Sequence, residues 1–106
     1  MRIVLDACVP RPLHKLFVGY DDIVTVGRLR LNRLDDGPML DALASQCDVF
    51  VTVDKSIPWQ QRLDHRPFAV LLLRASSNRI EDLERLMPDV LRVLPTLAPG
   101  DVKQIG

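Results

Sequence analysis

Cysteine and aromatic residues are both scarce in this chain of 106 residues. Two cysteines, Cys8 and Cys47, are too few for a disulfide scaffold. Neither stands at metal-ligand spacing from His14 or His65, which excludes a zinc knuckle. With 5% aromatic residues against 47% hydrophobic, the core has to be built from Leu, Val and Ile. There is no excess charge of either sign, since 14 basic and 14 acidic residues cancel. Nucleic-acid binding through bulk charge is thereby excluded, and only segregated charge could serve. Long apolar runs are absent too. The longest, Val49 to Val53 and Phe68 to Leu73, fall far short of the roughly 20 residues a membrane span needs. Gly19, Gly27 and Gly37 are isolated, so there is no phosphate loop of the P-loop or Rossmann kind. No serine sits in a nucleophile elbow. Met1 to Leu5 leads straight into Asp6 without the pattern of a signal peptide, and a reducing cytoplasm is the expected compartment.

What is present is the repertoire of one α/β domain spanning residues 1–106. A chain of this size buries roughly two-thirds of its unfolded surface, enough for one core without staples. Ile3 to Leu5 reads as a short buried strand. Pro10 to Gly19 reads as a helix, with Leu13, Leu16 and Phe17 on one face. Ile23 to Val26 is a β-branched strand, and Gly27 to Leu34 is a loop carrying Arg28, Arg30 and Arg33. Asp35 or Asp36 can cap a helix whose apolar face holds Met39, Leu40, Leu43 and Ala44. Val49 to Val53 is the strongest strand signal. Ser56 to Leu63 reads as a short helical segment, and Phe68 to Leu73 as another buried strand. After a turn at Ser76 and Ser77, Asn78 can cap a long helix with Glu81 in the capping-box position. The stripe of that helix runs from Ile80 to Leu94, and Pro88 should kink it. Pro99-Gly100 is a turn before a weak edge strand, Val102 to Ile105. Helices alternating with short apolar strands predict a three-layer α/β/α sandwich on a mostly parallel sheet of about five strands.

In such sheets ligands bind beyond the carboxyl ends of the strands, where strand order reverses. Asp6 and Asp54 follow the first and third strands directly. Asp35 and Asp36 begin the second helix on the same rim. Converging carboxylates repel one another unless protons or a cation compensate, and hard oxygen ligands suit Mg²⁺ or Mn²⁺. Such an ion can activate water and clamp a phosphoryl oxygen, the chemistry of phosphodiester hydrolysis. Aspartate is also a preferred helix N-cap, and residue type and position alone favour capping over metal binding for Asp6, Asp36 and Asp54, though one carboxylate can do both. Arg74, Asn78 and Arg79 fall at or after the end of the fourth strand, where they suit phosphate contacts. Trp59 with Gln60 and Gln61 suits either a nucleobase or a cover for the core, and the cover is preferred. Cys8 reads as a small buried residue.

Ile3-Val4-Leu5-Asp6 with Pro10, the helix start at Asp36-Gly37, Val51-Thr52-Val53-Asp54-Lys55, and Leu73 to Arg79 together resemble the small PIN-like proteins related to toxin–antitoxin ribonucleases. The resemblance covers nearly the whole chain. It implies a PIN-like sandwich and a Mg²⁺- or Mn²⁺-dependent ribonuclease with RNA as substrate. Asp6, Asp36 and Asp54 match the family's acidic positions, with Asp35 as a substitute for Asp36. Lys55 would orient Asp54 or touch the substrate. An antitoxin-type protein and a second copy of the chain are the partners it implies. Glu and Asn usually follow the first aspartate in that family. Here Ala7 and Cys8 stand there, which removes one carboxylate and one polar group and weakens the expected metal site. The alternative is a catalytically degenerate PIN-like module that binds RNA or a protein partner.

Overall fold

A computed structural model describes all residues, 1–106. Five strands are present: β1 (Ile3–Leu5), β2 (Ile23–Thr25), β3 (Val49–Thr52), β4 (Ala69–Leu73) and β5 (Val102–Ile105). They form one sheet in the order β2-β1-β3-β4-β5, and every pairing is parallel. Four helices accompany them: α1 (Asp36–Leu43), α2 (Ser56–Gln60), α3 (Ile80–Glu84) and α4 (Met87–Val93). Short 3-10 segments occupy Arg11–Leu16 and Leu94–Thr96.

The period-two alternation of the strands divides the interior into two cores. Ile3, Leu5, Val49, Val51, Leu71 and Leu73 point to one face. Leu13 and Phe17 of the first crossover cover it, together with Leu83, Met87 and Val90 of α3 and α4. Val4, Phe50 and Val70 point to the other face, under Met39, Leu40 and Leu43 of α1 and Ile57 of α2. Each such side chain contributes roughly 1.5–3 kcal/mol by leaving water. The three-layer α/β/α sandwich expected from the sequence is therefore present, on a wholly parallel sheet. No helix is long and apolar enough to cross a membrane.

Three local features differ from expectation. The segment after β1 winds as a 3-10 helix over Arg11–Leu16. There the His14 ring nitrogen Nδ1 bonds the carbonyl of Arg11 at 2.7 Å, the acceptor that an α-helix would offer to the amide of Lys15. The expected long helix is two helices rather than one kinked rod. Pro88 has no N–H to give Glu84, and its ring crowds that carbonyl, so α3 ends at Glu84 and α4 restarts at Met87. The cap of α3 is Arg79, not Asn78, and makes no side-chain cap bond. Ser77 Oγ instead accepts the Arg79 amide at 3.1 Å and donates to Asp82.

The crossovers also differ in hand. Those from β3 to β4 and from β4 to β5 step in the same direction across the sheet. The first runs through α2 on one face, the second through α3 and α4 on the other. They therefore have opposite hands, and one breaks the right-handed rule obeyed by about 98% of parallel units.

Gly100 makes the turn into β5. Its φ is +87°, its amide donates to Phe68 at 3.0 Å, and a Cβ there would stand 2.6 Å from the Asp64 carbonyl oxygen. Gly100→Ala is expected to cost about 1–3 kcal/mol through strain and that collision. Urea unfolding of the two proteins measures it.

Candidate functional site

Strand order reverses between β1 and β3, so the carboxyl ends of these neighbours flank the crevice where doubly wound sheets bind ligands. The register pairs Leu5 with Val51. One step further on, Asp6 stands beside Thr52. Thr52 is the only buried polar side chain in the protein. Its hydroxyl donates to Asp6 Oδ2 at 2.7 Å and accepts the Asp54 amide at 3.0 Å. Asp6 Oδ1 accepts the Ala7 amide at 2.8 Å. Asp54 Oδ1 accepts from both the amide and the hydroxyl of Ser56, at 2.9 and 2.6 Å. The carboxylate thereby satisfies an amide at the start of α2, as a capping residue would. Asp6 and Asp54 are thus fixed on half-buried strand ends.

Asp36 arrives from the first turn of α1. A carboxylate at a helix N-terminus is ordinarily favoured by the macrodipole. Here the opposite sign wins. Partial burial raises the Asp36 pKa above the usual carboxylate range, and the charges of Asp54, Asp6 and Asp35 raise it further, with no hydrogen bond to offset them. Asp35, the N-cap of α1, makes no side-chain cap bond and is exposed. Neither acid performs the capping expected of it.

Asp6, Asp36 and Asp54 line one open cleft of about 570 Å³. Lys55, Arg74 and Asn78 line it too. Arg79 does not; its guanidinium faces Glu81 at 3.6 Å. The donor chemistry, three carboxylates with Asp36 pressed by its like-charged neighbours, fits a hard divalent cation. The carboxylates share the cleft without closing on a common point, and no three His, Cys, Asp or Glu side chains form a ready ligand group.

Cys8 is exposed at the rim, not buried as the sequence suggested. Its sulfur lies 3.5 Å from Asp6 Oδ2 and 3.7 Å from Thr52 Oγ1. Desolvation, and then the charge of Asp6, push its pKa up, so it stays a thiol. Cys47 is buried and pushed up to about 12, mainly by desolvation. Neither cysteine suits nucleophilic chemistry. Ala7 is exposed and offers no donor oxygen.

Two features escaped the sequence reading. One is the role of Thr52, which entered only as part of a motif and whose signal was a lone polar residue closing an otherwise apolar strand. The other is a second cleft of about 610 Å³ on the β2 side of β1, lined by Leu5, Arg11, His14 and Arg28 among others, with no acidic side chain. None of these three basic side chains is ion-paired. Leu5 lines the basic cleft and Asp6 the acidic one, so the two flank a single strand end. The chain matches no protein-family model, no curated protein and no solved structure.

Two expectations follow. Thr52→Val keeps the side chain's branched shape but orphans the Asp54 amide, and should cost about 1–3 kcal/mol in urea unfolding. Asp36 has a raised folded pKa, so its ionisation opposes folding: the penalty is absent below the ordinary carboxylate pKa near 4 and grows as pH rises through the Asp36 value. Asp36→Asn should therefore raise the Tm at neutral pH. In thermal melts the gain should vanish at about pH 3, where both states are protonated.

Proposed function

We propose that this chain is a PIN-like ribonuclease dependent on Mg²⁺ or Mn²⁺. The observation that carries the reading is Asp36: a half-buried carboxylate with no hydrogen bond, held against the charges of Asp54 and Asp6. Ionised, it opposes folding, and no hydrogen bond compensates. Carboxylates perturbed by burial and like charges in a cleft collect at functional sites. Asp6, Asp36 and Asp54 would hold the cation, which when bound supplies a Lewis acid and a water of lowered pKa.

The remaining roles belong to the chain's own side chains. Thr52 and Ser56 hold Asp6 and Asp54 against rotation. Lys55 and Arg74 oppose the charge of a phosphodiester in the same cleft, and Asn78 offers amide hydrogen bonds. Arg11, His14 and Arg28 suit neighbouring phosphates on the other side of the β1 end. This is the segregated charge that a chain of zero net charge needs.

A second reading is favoured by two observations. Ala7 and Cys8 put a methyl and a thiol where further oxygen donors would strengthen a metal site. Asp54 already serves the start of α2. On this reading the chain is a degenerate PIN-like module that binds RNA or a protein without cutting.

The deciding experiment incubates a mixed RNA pool with wild type and Asp54→Asn in Mn²⁺, in Mg²⁺ and in chelator. Asparagine keeps the acceptor for Ser56 and removes the charge. The ribonuclease reading expects metal-dependent cleavage by wild type, reduced in the variant by at least the roughly 10–100-fold that loss of an outer-shell partner of a metal ligand costs. Equal cleavage by both proteins, or none by either, overturns it. RNA binding without cleavage supports the module.

A further inference from the structure

Trp59 is the only tryptophan in the chain and is 89% exposed, so it does not cover the core as the sequence suggested. A tryptophan buries roughly 150–250 Å² where it has a partner, and here that surface is left in water. Its place in the fold is specific. Lys55 already has helical backbone angles, and α2 follows it. Lys55 and Trp59 are four residues apart and share one helix face, about 5–6 Å between their Cβ atoms. Lys55 lines the acidic cleft. Helical Cα–Cβ bonds tilt toward the helix N-terminus, so that of Trp59 is tilted toward Lys55. At the other end of α2, Gln61 Oε1 would be 3.7 Å from a methyl at Gly37, one residue past Asp36. The segment from Lys55 to Gln61 is thus anchored at the cleft by Lys55, and its far end stands near Gly37, the residue after Asp36.

We infer that Trp59 is a stacking platform for an unpaired base of a nucleic-acid strand whose phosphodiester enters the acidic cleft. The inference rests on the nucleic-acid substrate proposed above and adds a recognition element to it. Its surroundings favour a base over a protein partner. Protein hot spots sit inside a ring of well-packed contacts. The sequence neighbours of Trp59 are exposed Gln60, half-buried Gln61, exposed Lys55, which has no ion-pair partner, and exposed Arg62, which pairs with Asp64 at 3.0 Å. The other exposed large apolar residues, Met1, Val18, Leu34 and Val102, lie on segments distant in sequence from α2. An exposed indole flanked by amides suits stacking that tolerates every base, with Lys55 answering the backbone charge. A base held in a duplex has no free face to offer. The site should therefore select single strands.

Because Trp59 is the only tryptophan, its fluorescence reports on the contact directly. Binding is measured in chelator, where no metal-dependent cleavage can occur, with a single-stranded oligouridine and an RNA duplex of equal length. Saturable quenching by the single strand and little by the duplex is the expected result. Affinities come from the anisotropy of a fluorescein-labelled single strand. Trp59→Phe should bind within about threefold of wild type, and Trp59→Ala should lose on the order of tenfold or more. Binding by Trp59→Ala equal to wild type, equal quenching by duplex, or no binding by wild type overturns the inference. The ribonuclease reading fails separately. Wild type that binds with quenching yet never cleaves keeps Trp59 and loses catalysis. Metal-dependent cleavage with the same kcat/KM in Trp59→Ala keeps catalysis and loses Trp59.

Discussion

The hydroxyl of Thr52 donates to the carboxylate of Asp6 and accepts the amide of Asp54. One buried oxygen thus links the ends of two strands whose aspartates are 48 positions apart in the chain. Burying a hydroxyl is costly unless both its donor and its acceptor capacity are used. Here both are used. The link forms only if β1 and β3 pair in parallel with Leu5 opposite Val51. A slip by one residue would carry Thr52 to the opposite face and turn the apolar pattern of β3 inside out. The register that builds the core and the register that builds the cleft are therefore the same one.

The acidic cleft shows what that rigidity allows. Asp6 and Asp54 are pinned in place by amides and hydroxyls. Asp36 is pinned by nothing polar and meets their field from α1. Burial and the neighbouring charges therefore raise the Asp36 pKa without any hydrogen bond to counter them. The opposing charges sit close by, in Lys55 and Arg74 within the cleft and in the unpaired Arg11 and Arg28 beyond β1. Zero net charge overall thus conceals a sorted surface along the carboxyl edge of the sheet.

Much of this is legible in the chain itself. Ile3-Val4-Leu5, Val49 to Thr52 and Ala69 to Leu73 are uniformly apolar or β-branched because both faces of those strands are covered. That uniformity identifies them without knowledge of their partners. Asp6 and Asp54 stand out for the same reason, as charges ending apolar runs. Features set by distant contacts are harder to read. Thr52 gains its role only from a strand 46 positions away. The break between α3 and α4 turns on whether Pro88 bends a helix or ends it, and crowding at Glu84 decides that. Cys8 and Trp59 are residue types that usually go inside. Each follows a strand-end aspartate closely, where the chain is held at the rim.

The opposed hands of the last two crossovers have a mechanical consequence. The loop carrying Arg74 and Asn78 leads into the layer built by α3 and α4. Asp36 belongs to the layer of α1 and α2. The walls of the cleft are thus rooted in two cores that share only the sheet between them. A ligand touching Asp36 and Asn78 together would act as a clasp across those layers. It would bind only the state in which both are docked, and so would make two separately packed halves open and close as one.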